Sequence, residues 1–407
     1  MPMQAREKGS PGFLGFFQDE RTRNLIWQFV FFIAVVILLF SSLNNVVKAM
    51  AVRGMVPSFK FLSFTSGITV GETIIPFDSR STNARALLVG LLNTISISIL
   101  VIIFSTLFGF LVVLCRISSN WIISHLARFY IEIIRNIPLL MLLLVWYRAF
   151  FLQMPGIRNA VMLHKVISGD GEISASLILS NRGLHIAWPV PTGSFGAYRF
   201  VLLGALGVAA IVYIISRLHS QKTGRKTPGL LWALLSFLGI SGIGLLCMIG
   251  NEPFSIQYPV LGKFNARGGL SVSSEWFSLF SGLVLYTSAF VAEALRAGIQ
   301  GVPKGQLEAA RALGLGHLRA LRLIIIPQAK IVAIPPLTSI FLGVAKNTSL
   351  GVAIGFPDLF SITGTIINQT GRALEMILLV MAIYLAMSGL TSVFMNWYNK
   401  KVQLVER

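Results

Sequence analysis

The chain has 407 residues, of which 55% are hydrophobic and only 12% charged, and its formal net charge is +19. Soluble domains carry about 25% charged residues, so a water-soluble globular class is excluded. Nucleic acid is not implied by the positive balance either: no basic stripe with interleaved aromatics stands outside the apolar runs, and Lys and Arg gather of their own accord in the cytoplasmic loops of membrane proteins.

Apolar runs of about 20 residues cross a bilayer as helices. Eight such runs are predicted in chain order, over 25–43, 86–115, 129–151, 200–216, 229–249, 276–298, 331–349 and 374–396. The expected fold class is therefore all-α, a polytopic membrane protein. The first run follows a charged stretch and lacks a small-residue cleavage site, so it reads as a retained helix and not a signal peptide. Cys115 and Cys247 fall at run ends on opposite membrane faces, too far apart for a disulfide. No Cys/His set has metal-ligand spacing.

Loop charge sets the orientation. The loop 217–228 holds Arg217, Lys222, Arg225 and Lys226 with no acid, which places it in the cytoplasm. Eight spans then put both termini inside, where Lys400, Lys401 and Arg407 also lie; the N-terminal bias is modest because Glu7, Asp19 and Glu20 offset its basic residues. Stretches 44–85, 152–199 and 250–275 fall outside, with Asp170 and Glu172 in the second. That second stretch is rich in Gly, Pro and Ser and reads as loop. With spans four and five it forms an insertion, giving segments 1–82, 83–152, 153–275 and 276–407.

The segment 298–330 is basic and cytoplasmic, with Lys304, Arg311, Arg319, Arg322 and Lys330 against the single Glu308. Pro303 suits a first helical turn, Gln306 to Leu313 favours helix, and Gly314 stands where a left-handed residue ends one. A second helix is predicted from His317 to about Ile326, broken by Pro327 before the next span. Two short helices with a glycine corner, carrying the small residues Ala309, Ala310 and Ala312, make a docking surface that a partner groove can approach. An ordinary solvated loop is the alternative.

Glu308-Ala309-Ala310, then Gly314, then Ile324 and Ile326-Pro327 closely resemble the EAA loop of ATP-binding-cassette importer permeases, with Ile in place of the usual Leu. Gly90-Leu91-Leu92-Asn93-Thr94, the run Tyr130 to Leu140, the run Ala292 to Gln300, Ile334-Pro335-Pro336-Leu337 and Lys346-Asn347-Thr348-Ser349-Leu350 are similar to the polar amino acid branch of that family. The resemblance covers about 83–152 and 276–396. It implies a five-helix type I importer core, enlarged as in permeases for general L-amino acids or for glutamate, glutamine, aspartate and asparagine. It also implies that Glu308, Ala309, Ala310, Arg311, Leu313, Gly314 and Leu315 couple to an ATPase subunit. The further partners implied are a second permease, identical or homologous, a periplasmic amino-acid-binding protein and the bilayer of the bacterial inner membrane. No G-x-x-x-x-G-K-[ST] sequence occurs. This chain is therefore expected to hold no cofactor and to be no enzyme, with ATP and magnesium in the partner.

Ionisable groups within spans are costly and face the bundle interior. Glu132 and Arg135, and likewise Glu293 and Arg296, are three apart on one helix face and can pair. An amino acid needs donors for its carboxylate and an acceptor for its ammonium. Lys346, Asn347 and Thr348 can serve the first, and Glu375 the second; Asn93, Thr94 and Thr338 complete a candidate path, though Ser and Thr also serve plain helix packing and Lys346 also suits a snorkelling role. The alternative function is an ion-coupled secondary transporter of small polar solutes, which has inverted repeats and no use for the 298–330 loop. A membrane scaffold is a third reading.

Overall fold

Thr82 and Ser273 start the two most buried helices by the same device. The Thr82 hydroxyl accepts from the Arg85 N–H at 3.3 Å and the Ser273 hydroxyl from that of Trp276 at 3.1 Å, each satisfying a donor that the first helical turn leaves open. The helices they begin, α2 (Asn83–Arg116) and α7 (Ser274–Gln300), lie against one another at the centre of the bundle. The computed structural model describes residues 20–52, 58–167, 172–224, 227–263 and 265–403. Glu7, Asp19, Asp170, Arg225, Lys226 and Arg407, used above in the orientation argument, lie outside them.

In chain order, α1 (Glu20–Val52) precedes α2, and α3 (Trp121–Asn136) and α4 (Leu139–Val145) follow it. A hairpin of α5 (Phe195–Thr223) and α6 (Gly229–Cys247) comes before α7. Then come α8 (Lys304–Ala312), α9 (His317–Ala320), α10 (Ile326–Asn347), α11 (Leu359–Thr370) and α12 (Ala373–Val402). Among the described residues seven helices are long and apolar enough to span a membrane, or eight if a bent pair counts as one. The polytopic, predominantly helical class expected from composition is what the chain adopts.

That bent pair corrects the third predicted span. Residues 129–151 are not one rod: α3 and the helix from Leu139 to Phe151 meet at 106°. The cause is local. Proline forces its predecessor out of the helical region, and Ile137 is extended at φ −93° and ψ 129° before Pro138.

The outer stretch 152–199 is not loop. Strands Val161–Leu163, Leu177–Ser180, Gly183–Ile186 and Leu270–Ser273 form one antiparallel sheet, with Leu184 opposite Val272 and Leu179 opposite Leu184. A second four-stranded sheet of two-residue strands and a two-stranded one join 166–191 to 254–267. A small core of Ile157, Ala175, Ile178 and Ala266 closes under them. The insertion is thus a folded cap carried on the α5–α6 hairpin, whose two helices are tied by the Tyr198 hydroxyl donating to the Ser241 carbonyl at 2.9 Å.

The buried interior is shared around α2. Ile97 and Val101 pack with Leu143, Leu279, Leu283, Val344 and Phe356. Nearer the start of α2, Ala86, Leu87 and Val89 pack with Phe61, Leu359, Ile366 and Met376. Helix α11 is too short to span and was not foreseen; it fills the space between α2 and α12.

Candidate functional site

The corner after α7 is built by proline and glycine. Pro303 stands just before α8 as its N-cap, extended at ψ 134°, one position ahead of the expected first turn. At the other end the Gly314 N–H donates to the Arg311 carbonyl at 2.9 Å and the Leu315 N–H to that of Ala310 at 3.0 Å, while Gly314 takes φ +72°. This is the paired-bond helix stop that requires a left-handed residue. A Cβ on Gly314 would meet nothing within 4 Å, so its only requirement for glycine is conformational.

The faces of α8 divide cleanly. Ala310 is fully buried, and Leu307 packs against a core of Val302, Ile325 and Ala329. Glu308, Ala309, Arg311 and Ala312 are exposed, Leu315 is half-buried, and Leu313 is 79% exposed. An acid, small residues and a bare leucine therefore form one outward surface on a short helix fixed from behind.

Pro327 does not break the chain that follows. The helix from His317 runs on into α10 through a π-helical turn at Leu321–Ile325. Proline has no N–H for the α ladder, and a wider turn just ahead of it is one way the helix continues. The corner is thus fused to a long helix that ends at Asn347.

The candidate path residues fall in three places. At the start of α11, Asn93 Nδ2 donates to the carbonyls of Glu72 and Pro357, both at 2.9 Å, and Thr94 Oγ1 accepts from the Leu359 N–H at 3.1 Å. Gly90, one turn earlier, lets the backbones meet: a Cβ there would stand 2.9 Å from Leu359 Cα and 3.0 Å from the Asp358 carbonyl. The buried Asp358 caps α11 by accepting from the Ser361 N–H at 2.8 Å, and the Tyr384 hydroxyl donates to it at 3.4 Å beside Thr94 and the buried Thr348. Asp358 and Tyr384 were missed in the sequence, although an acid before an apolar helical run is a recognisable cap signal.

The second place is an open groove of about 540 Å³, where the exposed Lys346 lines one wall with Ser349 and Tyr384. The Asn347 side chain next to it is half-buried and makes no hydrogen bond among the described residues. Thr338, farther down α10, donates to its own helix at Ile334. The third is the start of α12, where Glu375 is 2% exposed and accepts from Arg372 at 3.2 Å and from the Ser58 N–H at 3.4 Å. The structure thus joins Asn93, Thr94 and Thr348, keeps Lys346 and Asn347 beside them, and holds Glu375 with Arg372.

Two ion pairs were expected from spacing. Glu293 does pair with Arg296, whose Nε lies 2.9 Å away. Glu132 does not pair with Arg135: it accepts from Arg128 at 2.6 Å, one turn back, while Arg135 reaches Glu293 at 3.9 Å and stacks over Phe290. Arg135 stays exposed and reaches across to Glu293 and Phe290 on α7, which packs against α3, and not along its own helix.

Residues 102–404 match the family described as binding-protein-dependent transport system inner membrane component. The general L-amino acid transport system permease protein AapQ of Rhizobium johnstonii is 39% identical over 391 residues, 96% of this chain and 94% of that protein. The glutamate/glutamine/aspartate/asparagine transport system permease protein BztB of Rhodobacter capsulatus is 35% identical over 410 residues, 96% of each chain. The glutamate/aspartate import permease protein GltJ of Escherichia coli is 33% identical over 122 residues, 30% of this chain and 50% of that protein.

Proposed function

Because the chain belongs to the binding-protein-dependent transport system inner membrane components, we propose that it is the permease subunit of an ATP-binding-cassette importer carrying L-amino acids from the periplasm to the cytoplasm. The observation that carries the coupling is the corner itself. A helix with its inner face buried at Ala310 and its outer face bare at Glu308, Ala309 and Leu313 has the form of a part made to seat in a separate protein. The amino acid cargo is supported by two relatives of nearly equal length whose names specify such cargo.

In this reading two ATPase subunits dock on the corners of two paired permeases. ATP and magnesium act there, and this chain breaks no bond. Closure of the ATPase pair rotates the bundles as rigid bodies, exposing the path first to one side and then to the other. A periplasmic binding protein delivers the cargo. Both termini lie in the cytoplasm under the charge argument. Lys346, at the open groove, and Asn347 next to it in the chain have side chains with no partner among the described residues and are the path residues assigned to cargo; Asn93 and Thr94 have theirs engaged by the backbone at the start of α11.

The test is pull-down of the ATPase together with uptake, at matched membrane levels. Gly314→Val forbids the φ of the corner and Glu308→Lys reverses the charge on its outer face. Both should lose transport along with ATPase attachment or ligand-stimulated hydrolysis. Full attachment, hydrolysis and uptake in Gly314→Val would make 298–330 an ordinary loop. An ion-coupled secondary transporter would take up cargo in the purified chain alone, with no ATPase present.

A further inference from the structure

Helix α7 runs from Ser274 to the corner, so its first turn lies at the end of the bundle opposite the ATPase-docking surface. Over that end the folded cap, the segment before α2 and helix α11 enclose a cavity of about 480 Å³. This lies within the range of roughly 300–1,000 Å³ common to small-molecule sites. Its chemistry-bearing walls are Glu72, Arg182, Asn265, Glu275, Ser361 and Thr365.

Arg182 is the one basic residue among the lining residues. It sits at the two-residue tip between strands Leu177–Ser180 and Gly183–Ile186. The tip is pinned by the Arg182 N–H donating to Ser180 Oγ at 3.2 Å and by the Asn181 N–H donating to the Pro155 carbonyl at 3.0 Å. The backbone is thus fixed, yet the guanidinium has no hydrogen bond or ion pair among the described residues. Beside this tip Glu72 Oε1 accepts from the N–H of Ser273, the strand partner of Gly183, at 2.8 Å, which anchors the carboxylate and leaves Oε2 with no partner among the described residues. Glu275 is already engaged at both oxygens, by the Tyr147 hydroxyl at 2.6 Å and the Ser274 hydroxyl at 3.2 Å. A cavity with one unclaimed guanidinium and one unclaimed carboxylate oxygen is complementary to a molecule bearing one anion and one cation.

We propose that this cavity is an outer-face binding site for a zwitterionic α-amino acid, with Arg182 taking the carboxylate and Glu72 the ammonium. The inference rests on the amino acid cargo proposed above. A planar guanidinium pairs with carboxylate oxygens two at a time and so fixes orientation as well as charge. The floor of the site is α11, through Ser361 and Thr365, and α11 is the helix whose start is held by Asn93 and Thr94. The site therefore stands at the mouth of the candidate path. Arg182 and Asn265 come from the insertion, so the insertion supplies the anion-binding half of the site.

The test uses the permease with its ATPase partners in nanodiscs, without binding protein, and radiolabelled L-glutamine as probe. Two competitors each delete one charge: N-acetyl-L-glutamine lacks the ammonium, and L-glutamine α-amide lacks the carboxylate. Saturable binding displaced by L-glutamine and by neither capped form is expected. Arg182→Gln should weaken it at least tenfold and narrow the gap between L-glutamine and its α-amide. Arg182→Lys should restore part of the loss. Glu72→Gln keeps an oxygen for Ser273 and should narrow the gap to the N-acetyl form instead. Because the Arg182 side chain has no hydrogen bond or ion pair among the described residues, thermal unfolding of its variants should match the parent. Unchanged binding in both variants overturns the site. So does absent saturable binding in a preparation whose complete importer, with binding protein, still takes up amino acids. If that complete importer takes up none, the cargo reading falls and the site falls with it.

Discussion

The Asn93 amide bridges two carbonyls that lie far apart in the chain, and the 2.9 Å bond to Pro357 spans 264 positions. With the second bond to Glu72 it ties together the segment before α2, α2 itself and the start of α11. The same side chain therefore sits between the outer cavity and the buried Asp358–Tyr384 pair.

Asn93→Ala should act on assembly more than on recognition. It leaves two carbonyls without their donor, at a cost of about 1–3 kcal/mol for an unsatisfied buried group. Gly90→Val should reach the same seat by volume, since its Cβ meets backbone atoms that cannot yield, and overpacking costs about 1–3 kcal/mol. Both variants should lower the thermal unfolding midpoint in detergent. Uptake per assembled transporter should fall less for Asn93→Ala than for a path variant.

Asn347→Ala is that path variant. Its amide makes no hydrogen bond among the described residues, so its removal breaks no such bond and should lower stability by no more than about 1 kcal/mol, the centre of the range for single substitutions. Uptake should fall severalfold at matched abundance while the binding protein's own affinity is unchanged. Equal uptake kinetics would remove Asn347 from the path.

His185 makes the cap sensitive to acid. It is 1% exposed, donates from Nε2 to Asn265 Oδ1 at 3.1 Å, and has no partner at Nδ1 among the described residues. Burial, opposed by the Asn265 bond, holds its pKa below the usual histidine value of about 6.5. The folded cap therefore disfavours the second proton. Above the unfolded value both states are neutral and nothing changes; as the pH falls below it the unfolded form gains protons first, and stability declines until the folded pKa is passed. Limited proteolysis of the cap should accelerate below about pH 6.5, and His185→Gln should flatten that dependence.

Orientation can be read with a thiol. After replacement of Cys115 and Cys247 by Ser, Gln221→Cys, exposed near the end of α5, should resist an impermeant maleimide in intact cells and react after permeabilisation. Labelling before lysis would invert the cap and the corner together.

Much of the architecture was legible because hydropathy reports on long lipid-facing helices, and proline and glycine report on turns. The corner at Pro303 and Gly314 was read this way, including the sign of φ at Gly314. What escaped depended on partners distant in sequence. Leu270–Ser273 becomes a strand only by pairing with Gly183–Ile186 across the whole α5–α6 hairpin, and Gly, Pro and Ser in short strands look like loop. Helix α11 has twelve residues, below any spanning length. The bend at Pro138 was written in the sequence, but the apolar run across it favoured a single span. At Pro327 the opposite happened: a break was expected, and a π-helical turn absorbed it. Glu132 had acceptable partners on both sides, and only packing on α7 decided between them.

That π-helical turn gives the bundle a lever. The helical backbone continues from His317 to Asn347, roughly 45 Å at 1.5 Å per residue, although Pro327, Pro335 and Pro336 donate no bond to its ladder. One end is the corner; the other presents Lys346, Asn347 and Thr348 beside the groove and the Tyr384 hydroxyl. Pro335 and Pro336 lie within it, but no loop does. A displacement forced on the corner has no slack joint in which to dissipate, so it must arrive at the far end as a tilt. Inserting two glycines after Leu315 would leave both ends chemically intact and remove only the stiffness between the corner and the shaft.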